Sequence, residues 1–180
     1  MSLPAPPSTE VLSASSPETA CRDCPLRSLK LFHEPTGEEL ELVQSLKRRE
    51  RRLDAGEALI HEGQTDAPLY TLLHGWAFRY KTLSDGRRQI LSFLLPGDFI
   101  GVQQKMGDAA AHGVETLTDA LFCVFQRDSL WELHRRSPMM GFNVTWLTAH
   151  EESMVDDTLL SVGRRTAEER IASMLILLFK

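Results

Sequence analysis

No apolar run in the 180-residue chain approaches the roughly 18–20 residues that a helix needs to cross a bilayer. Its start also lacks the basic-then-apolar order of a secretory leader, so a cytoplasmic location is expected. Positive charge is in short supply. Lys and Arg number 20 against 25 Asp and Glu, for a net charge of −5. The chain as a whole is therefore no electrostatic match for a phosphate backbone, and any nucleic-acid contact is local or lies outside these residues. Catalytic signatures are missing too: no nucleophile stands at motif spacing from a base, no Gly-rich phosphate loop opens a helix, and no metalloprotease spacing occurs. An enzyme is not expected.

Cysteine is scarce, with three in all, too few and too unevenly placed for a disulfide framework. Cys21 and Cys24 form a C-x-x-C pair, while Cys123 stands far down the chain. In a reducing compartment such a pair points to a metal or cluster site, to a thiol redox switch, or to a pair with no chemistry. Cys123, inside Leu121-Phe122-Cys123-Val124-Phe125, reads by itself as a core thiol. The histidines His61, His74, His112, His134 and His150 are scattered without metal spacing, and His33 follows the cysteine pair. They read as ordinary surface or hydrogen-bonded residues, a haem ligand being the alternative. Trp76, Trp131 and Trp146 are read as packing residues.

What is present is organised in blocks. Residues 1–20 hold Pro4, Pro6, Pro7 and Pro17 among Ser and Ala and read as a flexible arm, because little apolar surface offsets the entropy of ordering. Residues 21–52 carry the cysteine pair and a short helix. Thr36 is its N-cap with Glu39 in the capping-box position, and Leu40, Val43 and Leu46 share a face. The run Lys47-Arg48-Arg49-Glu50-Arg51-Arg52 is expected to be the solvated end of that helix. Over 53–135 short apolar stretches at 58–60, 69–73, 76–80, 90–94 and 121–125 alternate with Gly56, Gly63, Gly75, Gly86, Gly97 and Gly101. Regular short strands with glycine turns predict a β-sandwich or barrel, with a hairpin at Ser84-Asp85-Gly86.

After Pro138 the period becomes helical. Met140, Val144, Leu147, Met154, Val155, Leu159 and Val162 form an apolar stripe, interrupted near its middle by His150 and Glu151. So long a helix is explained by pairing with a second copy of itself, or else by packing on its own barrel. Gly163 is expected to break it. Thr166 then caps a further helix with Glu169 three residues on, and Ile171, Met174, Leu175 and Leu178 make its apolar face. The chain stops at Lys180 within this apolar helix, so further chain is expected to follow.

Several patterns coincide: Gly56-Glu57, Glu62-Gly63, the Y-x-x-x-x-G of Tyr70 to Gly75, Gly86, and Leu94-Leu95-Pro96-Gly97-Asp98-Phe99-Ile100-Gly101. In this order and spacing they resemble the cyclic-nucleotide-binding-type barrel of the Crp/Fnr family of bacterial transcription regulators. The long helix and Arg164-Arg165-Thr166-Ala167-Glu168-Glu169-Arg170 look like that family's dimerisation helix and the entry to its winged helix-turn-helix domain. The resemblance covers roughly residues 21–180.

The resemblance implies an α+β fold: a jelly-roll barrel (double-stranded β-helix) over 53–135, a dimerisation helix over 137–162, and over 164–180 the first helix of a truncated DNA-binding domain. It implies a homodimer acting on operator DNA with RNA polymerase, and no base-reading residue lies within these 180 positions. The family's cAMP receptors follow the barrel turn at Gly97, Asp98 and Gly101 with an Arg-Ser/Thr pair that grips phosphate. Here Ala109 to Glu115 occupy that region, no arginine occurs between Arg88 and Arg127, and Glu115 would repel a phosphate. Cyclic nucleotide binding is therefore not expected. Cys21, Cys24 and Cys123 resemble three of the four iron–sulfur ligands of the family's oxygen-sensing branch, soft thiolates being suited to iron. The position of the fourth is Lys30, so Asp23, His33 or Glu34 becomes the candidate replacement. The leading expectation is oxygen or redox sensing through cysteines. The alternatives are a ligand-free or haem-dependent FixK-like regulator and a protein-interaction module of the same fold.

Overall fold

The computed structural model describes residues 18–29, 34–103 and 108–178. The elements run α1 (Gly37–Leu46), β1 (Lys47–Leu53), β2 (Ala58–Ile60), β3 (Leu69–His74), β4 (Ala77–Thr82), β5 (Arg88–Leu94), β6 (Phe99–Ile100), β7 (Gly113–Thr116), β8 (Ala120–Phe125), α2 (Ser129–Arg136), α3 (Pro138–Arg164) and α4 (Ala167–Leu178). Two short 3-10 turns, Cys21–Asp23 and Pro25–Ser28, precede them.

The strands form two four-stranded antiparallel sheets, ordered β1-β8-β3-β6 and β2-β7-β4-β5. This is the expected jelly roll, as two facing sheets rather than one continuously hydrogen-bonded barrel. Between the sheets lies a core of Ile60, Tyr70, Leu72, Leu94, Ile100, Val114, Phe122 and Val124. The period-2 alternation of β8 explains its composition. Phe122 and Val124 enter this core, whereas Leu121 and Cys123 enter a second apolar cluster with Leu73, against which Cys24, Leu26 and Phe125 pack. The strand is covered on both faces, so it is apolar throughout.

The basic run at 47–52 corrects the helical expectation. Helix α1 ends at Leu46 because Lys47 already has extended geometry (φ −65°, ψ 128°). The run is then an edge strand whose backbone pairs with β8, Glu50 opposite Cys123 and Arg52 opposite Leu121. Charged side chains suit an edge, where they discourage pairing with a further chain. Strand β7 was also absent from the sequence reading. Of the arm expected over 1–20, residues 1–17 lie outside the described residues. The last three do not hang free: Thr19 N donates to Glu50 Oε1 at 2.7 Å, and Lys47 Nζ donates to Thr19 O at 2.6 Å.

Both capping boxes form. Glu39 N donates to Thr36 Oγ1 (3.3 Å) and Thr36 N to Glu39 Oε2 (2.8 Å); Thr166 and Glu169 repeat the pattern at the same distances. The hairpin at Ser84-Asp85-Gly86 joins β4 to β5, with Gly86 at φ +83°. Gly163 does not break α3, which continues to Arg164 and ends only where Arg165 turns extended (φ −83°, ψ 148°). An interior glycine weakens a helix by about 1 kcal/mol, too little to stop one whose neighbours favour it. At 27 residues α3 is roughly 40 Å long at 1.5 Å per residue. None of the described helices is long and apolar enough to cross a membrane.

Candidate functional site

The outer face of the β1-β8-β3-β6 sheet carries Cys123 in a small apolar cluster against which Cys24 packs. The first 3-10 turn is fixed by Cys21 N donating to Gln44 Oε1 of α1 at 2.7 Å, and Arg27 N caps Cys24 O at 3.1 Å. That anchorage sets Cys24 and Leu26 on the cluster containing Cys123. Cys123 is buried, and Cys21 and Cys24 are half-buried. Burial pushes the Cys123 thiol up to about 12, and it also raises Cys21 and Cys24 against the lowering influence of the Lys47 ammonium. All three are thus neutral thiols at neutral pH, and metal or cluster binding would have to displace their protons.

Beside them lies a buried ion pair. Lys47 Nζ donates to Glu50 Oε1 at 2.8 Å, and the two side chains are only 1% and 8% exposed. Burial alone would lower the Lys47 pKa, but Glu50 and the surrounding thiols raise it overall, so the ammonium is retained.

The candidate fourth ligands fare differently. Asp23 is 71% exposed and pairs with Arg22, and Glu34 is 87% exposed and pairs with Arg27. His33 and Lys30 lie outside the described residues. Among the described residues no three His, Cys, Asp or Glu side chains converge closely enough for a single metal ion. Thiols are soft donors of the kind a metal or cluster takes, but the described residues do not bring Cys21, Cys24 and Cys123 together as a ligand set and offer no fourth protein ligand among the candidates.

The barrel turn places Gly97, Asp98 and Gly101 elsewhere. Gly97 N donates to Leu72 O (2.9 Å), and Leu95 N donates to the Asp98 carboxylate (2.7 Å), which burial raises above the usual aspartate range. Gly101 presents its carbonyl to both terminal nitrogens of Arg127, at 2.9 and 2.6 Å. Glu115 is not a bare repelling charge. It pairs with Arg88 of β5 at 2.6 Å, and that guanidinium lies 4.2 Å over the Tyr80 ring.

Sequence reasoning passed over Arg79. It stands in Trp76-Ala77-Phe78-Arg79-Tyr80 two residues after core Ala77, hence on the same face, and is buried. It holds Glu151 of α3 in a bidentate pair, Nη1 to Oε2 at 3.1 Å and Nη2 to Oε1 at 2.9 Å. A lone arginine at an inward strand position and a lone glutamate in an apolar helical stripe were the available signal.

The stripe on α3 divides at that glutamate. Met140, Val144 and Leu147 line an apolar cavity with Leu46, Phe99 and Leu133 of the same chain. Met154 is half-buried, and beyond it Val155, Leu159 and Val162 are exposed at 63%, 72% and 62%. His150 stacks on Trp146 at 5.1 Å.

Comparison with known proteins fits this architecture. A model of the cyclic nucleotide-binding domain matches residues 50–137, and the β-layers are a domain of that class. The chain is 32% identical over 158 residues to the transcriptional activator protein FnrL of Cereibacter sphaeroides, covering 88% of this chain and 62% of FnrL. It is 31% identical over 166 residues to the transcriptional activatory protein AadR of Rhodopseudomonas palustris, covering 89% and 68% respectively. The chain belongs to the Crp/Fnr family of transcription regulators. The solved structure of FixK2 from Bradyrhizobium japonicum superimposes with a TM-score of 0.63 at 31% identity, covering 71% of this chain and 63% of that one. These relatives are named as regulators, not as enzymes. The chain spans about two thirds of their length.

Proposed function

We propose that this chain is the sensing and dimerising part of a cytoplasmic, homodimeric, DNA-binding transcription regulator whose input is oxygen or redox state, read through Cys21, Cys24 and Cys123. The observation that carries the reading is the seating of the C-x-x-C turn on the outer cluster containing Cys123, which brings sequence-distant thiols to one patch. An iron–sulfur cluster held there by deprotonated cysteines would supply oxygen-labile chemistry. The protein's own contribution is a patch closed by α1 and β1, linked through β8 to the core. Output runs through α3, whose exposed Val155, Leu159 and Val162 would meet a second copy and set the spacing of two DNA-binding domains on an operator, where RNA polymerase is engaged.

A second reading is favoured by the Lys47–Glu50 pair and the neutral thiols: a cofactor-free site in which the cysteines act as a redox pair, or as none, in a FixK-like regulator. Anaerobic purification followed by an absorption spectrum and iron and sulfide assays separates the two. Iron and sulfide lost on exposure to air support the cluster. An iron-free protein that loses two free thiols in air supports the redox pair. An iron-free protein with all thiols intact in air overturns cysteine sensing.

A further inference from the structure

The meeting of Arg79 and Glu151 joins three elements at one carboxylate. Strand β4 supplies both terminal nitrogens of Arg79, and Gln103, from the loop after β6, donates Nε2 to Glu151 Oε2 at 2.7 Å. The paired side chains are 10% and 23% exposed. Arg79 Nε is buried without a hydrogen-bond partner among the described residues. A bidentate, charge-assisted geometry of this kind recognises a carboxylate by shape as well as by charge.

The sequence context makes the pair unexpected. Glu151 follows Val144 and Leu147 by two helical turns and one on the face that packs on the chain's own domain, where an apolar side chain would serve packing as well. Buried ion pairs often add little stability over apolar residues of similar volume, and their attested use is to fix one register among several. An apolar stripe can slide along a sheet, whereas a two-pronged carboxylate contact has one position.

We propose that Glu151 is a built-in ligand of the β-domain: Arg79 and Gln103 form a carboxylate-binding site, and α3 supplies the carboxylate that fills it. The occupied site fixes the level at which the long helix docks, so the helix is held without any ligand from outside. This inference is independent of the cysteine reading.

The test is chemical rescue. In the 180-residue chain, Glu151→Ala removes the carboxylate and leaves room for a small one beside Arg79. Amide hydrogen exchange in the α3 segment 141–160 is expected to accelerate about tenfold or more, while β3 and β8 stay protected. Formate should restore protection saturably, sodium chloride at equal ionic strength should not, and Arg79→Met combined with Glu151→Ala should not respond. Unchanged exchange in Glu151→Ala, or acceleration that formate leaves untouched, overturns the proposal. If Glu151→Ala does not fold, Glu151→Gln keeps the shape without the charge. It should show the same acceleration with no response to formate, and wild-type exchange in it would overturn the proposal as well.

Discussion

Glu50 stands directly across the β1–β8 ladder from Cys123, and its carboxylate is held by Lys47 Nζ at 2.8 Å. Directly opposed residues of an antiparallel pair share a face, so a buried charge pair sits beside the thiol patch. The same two side chains hold Thr19, whose N donates to Glu50 Oε1 and whose carbonyl accepts from Lys47 Nζ, and the Glu18 carboxylate accepts from the backbone N–H of Glu50. The thiol patch and Thr19 of the N-terminal segment thus meet at one ion pair.

Removing one partner of that pair should be costly. Lys47→Met leaves the Glu50 carboxylate buried and uncompensated and should destabilise by about 3–5 kcal/mol. Lys47→Met with Glu50→Met should recover most of the loss, since both charges are then gone. Urea unfolding monitored by far-UV circular dichroism measures both. Equal destabilisation in the single and double variants would show that the pair, rather than the stranded charge, is what matters.

Cys123 should behave as an inert thiol in the metal-free protein. With its pKa pushed from an ordinary value of 9.0 to about 12 by burial, it carries almost no thiolate at pH 8. Iodoacetamide should therefore modify half-buried Cys21 and Cys24 well before Cys123, as read by mass spectrometry of peptides. The linkage sign follows. Above pH 9 the unfolded thiol ionises while the folded one stays protonated, so this group's contribution to stability is full below pH 9 and is lost between about pH 9 and 12.

The strands Ala58–Ile60, Leu69–His74, Ala77–Thr82, Arg88–Leu94 and Ala120–Phe125 were legible in the sequence as short apolar stretches, most of them set off by glycine turns. Gly86 and Ser84-Asp85 marked the hairpin without any knowledge of its partners. Strand β1 was not legible, because Lys47-Arg48-Arg49-Glu50-Arg51-Arg52 has no apolar alternation; its strand character comes from β8 alongside it. The same limit hid Lys47. A lysine in a basic run reads as solvated, and only the folded-back Thr19 and the neighbouring Glu50 show why it is buried. The cysteines were legible as candidates, and their neighbourhood was not, since Cys24 and Cys123 meet only through tertiary packing.

Two glycines with nearly equal φ should respond differently to alanine. Gly75 (φ +86°) would place a Cβ 2.2 Å from Asp119 O and 2.8 Å from Ala120 Cα, so the β3–β4 turn would have to part from the start of β8. Gly86 (φ +83°) has nothing within 4 Å of its Cβ. Gly75→Ala should cost about 3 kcal/mol, combining left-handed strain with a backbone clash, and Gly86→Ala about 1 kcal/mol from strain alone. Thermal unfolding of the two variants side by side checks the ordering.

The exposed end of α3 yields the last prediction. Val155, Leu159 and Val162 follow one another at four and three residues, so they share a face, and all three are more than 60% exposed. Upstream on α3 the apolar residues Met140, Val144 and Leu147 are half-buried along a cavity within the chain, and the half-buried and exposed parts of the stripe meet near the Arg79–Glu151 pair. A stretch that leaves its own domain while remaining apolar needs a partner, and an identical helix presents the matching surface. Leu159→Glu would set two like charges against each other across such a seam. Sedimentation equilibrium should show a dimer for the unmodified chain and a monomer for Leu159→Glu. Far-UV circular dichroism of the variant should still show the β-domain folded, since Leu159 is 72% exposed. A chain that sediments as a monomer with or without the substitution would refute the seam, and the exposed apolar turns of α3 would then belong against other protein.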